Sequence, residues 1–224
     1  MFGKKRESRR KLIAHHEPKS QIAEQYRNIR TNIQFTSVDS DIRSIVVTSS
    51  GAGEGKTTTI SNLATVFGQQ GKQVLLIDAD MRKPKLHEMF RIDNQFGLTN
   101  VLSRQASLER CIHKTEVENV SFLPAGPIPP NPAELLSFRM MEEVIEQAEA
   151  AFDIVLIDTP PVLVVTDAQI VANRCDGIIL VVRSEITEKT KIVKAKQILD
   201  NTSGKLLGVV LNDKKQQKDQ YGYY

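Results

Sequence analysis

The chain has 224 residues, 40% of them hydrophobic and 25% charged, with a formal net charge of +3. That is enough for one domain with a full core and too near neutrality for a broad nucleic-acid surface. The basic excess lies at the two ends, in Lys4, Lys5, Arg6, Arg9, Arg10 and Lys11 and in Lys214, Lys215 and Lys218, and no apolar run is long enough for a membrane span or a signal region. Cys111 and Cys175 lack metal-ligand spacing and sit in apolar patterns, so buried thiols in a cytoplasmic protein are expected.

Residues 1–18 read as a basic flexible segment. After Pro18 and Ser20 a helix is predicted with Ile22, Tyr26, Ile29 and Ile33 on one face. Glu24, Arg27 and Arg30 form a second stripe, which is either a local i, i+3 pairing or an intermolecular contact; spacing alone does not choose. A β-branched run, Ile45 to Val47, then enters Ser49-Ser50-Gly51-Ala52-Gly53-Glu54-Gly55-Lys56-Thr57, and a helical pattern leaves it with Ile60, Leu63, Ala64 and Phe67 at i, i+3, i+4 and i+7.

Strand, glycine-rich loop and helix in that order form a phosphate-binding P-loop. The glycines let backbone N–H groups point inward as an anion nest, aided by the positive end of the helix dipole. Ser50 stands where the pattern has its first glycine, and is small enough for the turn. Gly51, Gly53, Glu54, Gly55, Lys56, Thr57 and Thr58 are the expected nucleotide contacts, Lys56 reaching the outer phosphates and Thr57 ligating Mg²⁺.

Val74 to Asp78 is a continuous apolar run, as expected of a parallel strand covered on both faces. If it stays extended to Asp80, the carboxylates of Asp78 and Asp80 project to one side at the strand's C-terminal end, where α/β sheets bind ligands. Alternatively, Asp80 caps the following helix. An α-rich connection from Leu86 to Ile112 and a strand, Val120 to Leu123, lead to a proline-rich loop. There Asn131, Pro132 and Glu134 suggest a capping box.

Ile154 to Asp158 is a further apolar strand closed by a carboxylate, the Walker B arrangement for Mg²⁺. Strands over Gly177 to Val182 and Leu206 to Leu211 flank a helix that Thr187 can cap. Asn212 follows, either reading the nucleotide base or serving as a turn residue. The expected fold is α/β, a P-loop NTPase with a central, mostly parallel sheet flanked by helices on both faces over residues 19–212, followed by a flexible tail, 213–224.

A nucleotide pocket does not say what receives the phosphoryl group. Tyr221, Tyr223 and Tyr224, on a polar tether, are not placed to be buried, but they are good acceptors. With Walker A (Ser49 to Thr57), the second acidic motif (Leu75 to Arg82), Walker B (Ile154 to Asp158) and Glu24-x-x-Arg27-x-x-Arg30, the chain resembles the bacterial tyrosine kinases. These are Walker-motif kinases of capsule and exopolysaccharide systems, and the likeness is to the form common in Gram-positive bacteria, in which the kinase domain is separate from its transmembrane activator.

The resemblance implies ATP and Mg²⁺ as cofactors, with Lys56 on the phosphates, Thr57, Asp80 and Asp158 around the metal, and Asp78 as base for the incoming tyrosine. It implies a ring-like homo-oligomer joined through Glu24, Arg27 and Arg30, phosphorylated in trans on the tail. It also implies recruitment to the inner face of the plasma membrane by the cytoplasmic tail of the activator, a tyrosine phosphatase, and protein substrates. The rival is a partitioning or division-site ATPase acting as a nucleotide-dependent dimer switch. Such proteins carry an extra lysine early in the loop, where this chain has Gly51.

Overall fold

The computed structural model describes residues 12–36 and 41–214. In chain order the elements are α1 (Ile13–His16), α2 (Gln21–Thr36), β1 (Ser44–Ser49), α3 (Lys56–Gly68), β2 (Val74–Asp78), α4 (Leu86–Phe90), α5 (Leu98–Leu102) and α6 (Leu108–Cys111). There follow β3 (His113–Lys114), β4 (Val120–Leu123), α7 (Pro132–Ser137), α8 (Arg139–Ala151), β5 (Ile154–Asp158), α9 (Asp167–Ala172), β6 (Gly177–Arg183), α10 (Lys189–Leu199) and β7 (Lys205–Asn212). The strands form one seven-stranded sheet in the order β3-β4-β2-β5-β1-β6-β7, parallel except for β3, which runs antiparallel to β4. This is the expected α/β architecture.

The apolar strands β1, β2 and β5 are buried along their whole length because their alternate residues feed two cores. Val46, Leu75, Ile77, Val155 and Ile157 point to one face, against Leu98, Leu136, Met141 and Ala168. Ile45, Val47, Leu76 and Leu156 point to the other, against Leu63, Phe67, Tyr26 and Phe90. Burying large apolar side chains of this kind contributes roughly 1.5–3 kcal/mol each, and the two-sided burial fixes the register of the central strands.

Helix α3 is buried on nearly every side, polar Ser61, Asn62 and Thr65 included, since it lies between the sheet and α2. Asn62 Oδ1 accepts from Ala14 N at 2.8 Å, and Gln69 Nε2 donates to Ala14 O at 2.8 Å. Leu12 and Ala14 are buried. The packed unit therefore begins before residue 19, and the final part of the segment read as a flexible head is a short helix docked on α3.

The connection from Leu86 to Ile112 is three short helices, the expected α-rich stretch, and β3 has too few residues to give a periodic signal. Other local expectations change. Asn131 stands at the start of α7, yet its amide donates to Glu134 Oε2 at 3.1 Å instead of the capping box forming. Thr187 is not the cap of α10; Glu188 holds that position, and the Thr187 hydroxyl is directed elsewhere. On α2 the buried positions are Ala23, Tyr26 and Ile33, while Ile22, expected on the packed face, is 43% exposed. Both cysteines are free and buried, and burial pushes their thiols upward in pKa.

Candidate nucleotide site

β1, an interior strand between β5 and β6, ends at Ser49, and α3 opens at Lys56 with Gly55 as its N-cap. Gly53 and Gly55 take φ of +79° and +95°, conformations that side chains rarely tolerate, and a Cβ at Gly55 would meet Asn212 Nδ2 at 2.0 Å. The loop thus delivers the N-terminus of a thirteen-residue helix, with Lys56 in its first turn, to the C-terminal edge of the sheet.

Asp78 and Asp158 end neighbouring parallel strands and are register partners, so both carboxylates arrive at that edge. Thr57, one residue into α3, donates its hydroxyl to Asp158 Oδ2 at 2.9 Å. The Walker A threonine and the Walker B acid, 101 residues apart in sequence, are therefore in direct contact.

Asp78 is fully buried. Its Oδ1 accepts from Asp80 N at 3.1 Å, and its Oδ2 accepts from Lys85 N and Leu86 N, both at 3.2 Å. It therefore satisfies the otherwise unpaired first N–H groups of α4. Asp80 does not cap that helix; its Oδ1 accepts from Lys83 N at 3.1 Å within the turn. Burial pushes the Asp78 carboxyl well above the usual carboxylate range; the nearby Asp158 adds to this, and the N–H groups of Leu86 and Asp80 oppose it. Burial also raises Asp80, offset in part by the charge of Lys56.

The donor set fits Mg²⁺. Among the described residues no group of three histidine, cysteine or acidic side chains forms a ready-made metal cage. Mg²⁺ does not require one, since it takes one or two carboxylates together with phosphate oxygens and water. Thr57 and Asp158, in contact, and Asp80 offer oxygen donors of that kind, and Lys56 is close enough to act on the charge of Asp80.

Three interactions here were not visible in the sequence. Arg82 makes a bidentate pair with Asp167, Nε to Oδ2 at 2.9 Å and Nη2 to Oδ1 at 3.0 Å, tying the turn after Asp80 to α9. Glu54 is buried and accepts from Ser50 and from Thr187. Asn212 Nδ2 donates to Glu54 O at 3.0 Å, so the end of β7 is attached to the P-loop backbone. The only hint in the sequence was the serine at position 50.

On α2, Glu24 and Arg27 pair at 2.7 Å, and Arg27 also donates to Pro18 O. Arg30 turns inward and donates from Nη1 to Val66 O of α3 at 2.6 Å. Tyr221, Tyr223 and Tyr224 lie outside the described residues.

Residues 42–201 match the family model described as AAA domain. Over 216 residues the chain is 52% identical to tyrosine-protein kinase YwqD of Bacillus subtilis (strain 168), covering 96% of this chain and 91% of that protein. The chain belongs to the bacterial tyrosine kinases. As a member of that family of protein-tyrosine kinases, it superposes on the chimerical protein CapA2B2 with a TM-score of 0.88 at 42% identity, over 92% of this chain and 90% of that one. The septum site-determining protein MinD of Pyrococcus horikoshii OT3, solved with Mg-ADP, gives a TM-score of 0.66 at 31% identity, over 75% of this chain and 69% of that one. The match to CapA2B2 thus covers more of this chain than the match to MinD does. Among the described residues no helix is long and apolar enough to cross a membrane.

Proposed function

We propose that this kinase transfers the γ-phosphoryl group of Mg-ATP to tyrosine hydroxyls, first to Tyr221, Tyr223 and Tyr224 of its own tail. The observation that carries this reading is the attachment of Asn212 to the P-loop through Glu54 O: β7, the strand that precedes the tyrosine segment in sequence, ends beside the nucleotide site. From Asn212 to Tyr221 is nine residues, roughly 30 Å when extended, a span that serves a neighbour's site as well as its own.

Lys56 holds the phosphates, and Thr57, Asp80 and Asp158 hold Mg²⁺, which neutralises charge on the phosphoryl group. Asp78, whose carboxyl burial raises above the usual carboxylate range, accepts the proton of the incoming tyrosine hydroxyl. Transfer runs in trans within a ring-like homo-oligomer joined through Glu24, Arg27 and Arg30. Each phosphotyrosine adds about −1.5 to −2 charge, and like charge beside Asp78, Asp80 and Asp158 then drives the modified tail out and loosens the ring. A tyrosine phosphatase restores it.

The cytoplasmic tail of a transmembrane activator brings the kinase to the inner face of the plasma membrane, where it regulates capsular or exopolysaccharide synthesis through further protein substrates. The alternative, a partitioning or division-site ATPase switch, draws on the fold shared with MinD.

Radiolabelled ATP separates the two. Label on the tail tyrosines is expected; release of free phosphate alone overturns the kinase reading. Mixing a Lys56→Met subunit that keeps its tail with an active subunit lacking Tyr221, Tyr223 and Tyr224 tests the direction of transfer, and an unlabelled inactive partner rules out transfer in trans.

A further inference from the structure

The P-loop contains a carboxylate that its phosphate-binding pattern does not require. Glu54 lies between Gly53 and Gly55, where its charge has the same sign as the phosphates the loop is shaped to hold. It is only 7% exposed, and three hydrogen bonds converge on it from inside the protein. Ser50 N reaches Oε2 at 3.0 Å, Ser50 Oγ reaches Oε1 at 2.7 Å, and Thr187 Oγ1 reaches Oε1 at 2.9 Å.

Thr187 itself accepts from Arg183 N at 2.9 Å. A hydroxyl has one proton, and the bond from Arg183 leaves that proton directed at Glu54. The carboxylate thus joins the first residue of the loop, Ser50, to the turn between β6 and α10, across 133 residues of sequence.

We propose that Glu54 is a positioning residue that holds the P-loop in its phosphate-binding shape, with Ser50 and Thr187 as its two supports, and that it is not a ligand of the nucleotide. A loop with glycines at 51, 53 and 55 has many conformations open to it. Apparent affinity falls in proportion to the fraction of molecules whose loop is already in the competent shape. An acceptor-only carboxylate offers phosphate oxygens nothing, but it can fix the two ends of such a loop. This also accounts for serine at position 50: glycine there would remove one of the three donors. The inference rests on the reading that the loop binds Mg-nucleotide.

The test measures Mg-ADP binding, and KM for ATP apart from kcat, in the whole chain carrying Thr187→Val, Thr187→Ser, Ser50→Ala or Glu54→Gln. Loss of a hydrogen bond to a buried charge is expected to raise Kd and KM roughly ten-fold in Thr187→Val and Ser50→Ala, with the change in KM exceeding that in kcat. Thr187→Ser should restore the parent values, and Glu54→Gln should lose at least as much as either single support. Ser50→Ala leaves the β6–α10 turn untouched, so it keeps the test decisive if Thr187→Val disturbs that turn.

Parent-like affinity in both Thr187→Val and Ser50→Ala overturns the inference. So does a defect in Glu54→Gln that neither support variant shares, which is the signature of direct contact with the nucleotide. A parent chain that does not bind Mg-ADP overturns the site reading as a whole.

Discussion

At the end of β2, Asp78 and Asp80 stand two residues apart; on α2, Glu24, Arg27 and Arg30 stand three apart. The strand acids are carried under neighbouring chain, where burial raises both, the charge of Asp158 adding to the shift at Asp78 and that of Lys56 opposing it at Asp80. On the helix, Glu24 and Arg27 remain at the surface as a pair of the kind that contributes roughly 0–1 kcal/mol. Arg30 belongs to neither class. The buried positions of α2 are Ala23, Tyr26 and Ile33, and Arg30 completes their 3-4-3 spacing, so it meets the α3 carbonyl of Val66. Regular spacing alone did not distinguish these cases; the neighbour lying over each residue did.

The largest effect should come at the sheet edge. Lys56→Met is expected to lower tyrosine labelling about 100-fold or more, since it removes a positioned charge, while far-UV circular dichroism remains that of the parent. Near-normal labelling by the folded variant would break the assignment.

Asp78 and Asp80 should then separate. Asp80→Asn is expected to weaken Mg²⁺-dependent ADP binding, whereas Asp78→Asn keeps more of the binding and loses transfer. Because Asp78 also accepts three backbone N–H bonds, its amide variant should lose roughly 1–3 kcal/mol of stability. Denaturant melts and Mg-ADP titrations giving the same defects for both variants would contradict the division of roles.

On α2 the ordering is sharper than the motif suggests. Arg30→Ala should cost about 1 kcal/mol of stability in the monomer, through the lost bond to Val66 O. Arg27→Ala should cost half of that or less. Light scattering tests the subunit contact separately: both variants should give a smaller particle, and an unchanged particle in both removes these residues from the interface.

The smallest expected effect is on pH. The folded-state pKa values of Asp78 and Asp80 are raised, so the folded protein holds these protons more tightly than the unfolded chain. Their contribution to stability is complete below the unfolded carboxylate range, about pH 4, and is lost as pH rises through the folded values. Thermal melts of the nucleotide-free protein should show this loss, Asp80→Asn should reduce it, and saturating Mg-ADP should flatten it. A pH dependence identical in the parent and Asp80→Asn would remove Asp80 from that account.

The sequence alone determined the six parallel strands of the sheet and where the P-loop and the strand-end acids lie along the chain. Continuous apolar runs ending in Asp78 and Asp158 require strands buried on both faces, and Ser50 to Thr57 between a strand and a helix requires a phosphate-binding turn. These signals are local, carried by neighbours within a few residues. It could not determine which polar side chains meet across the fold. Thr57 with Asp158, Arg82 with Asp167, Glu54 with Thr187 and Asn212 with Glu54 are separated by 101, 85, 133 and 158 residues. Ser and Thr hydroxyls, amides and carboxylates each have several satisfactory partners, so periodicity does not rank them. Tertiary packing made that choice: it turned Thr187 from an expected helix cap into a support of the P-loop, Asp78 into the acceptor for the start of α4, and Arg30 into a strut between two helices.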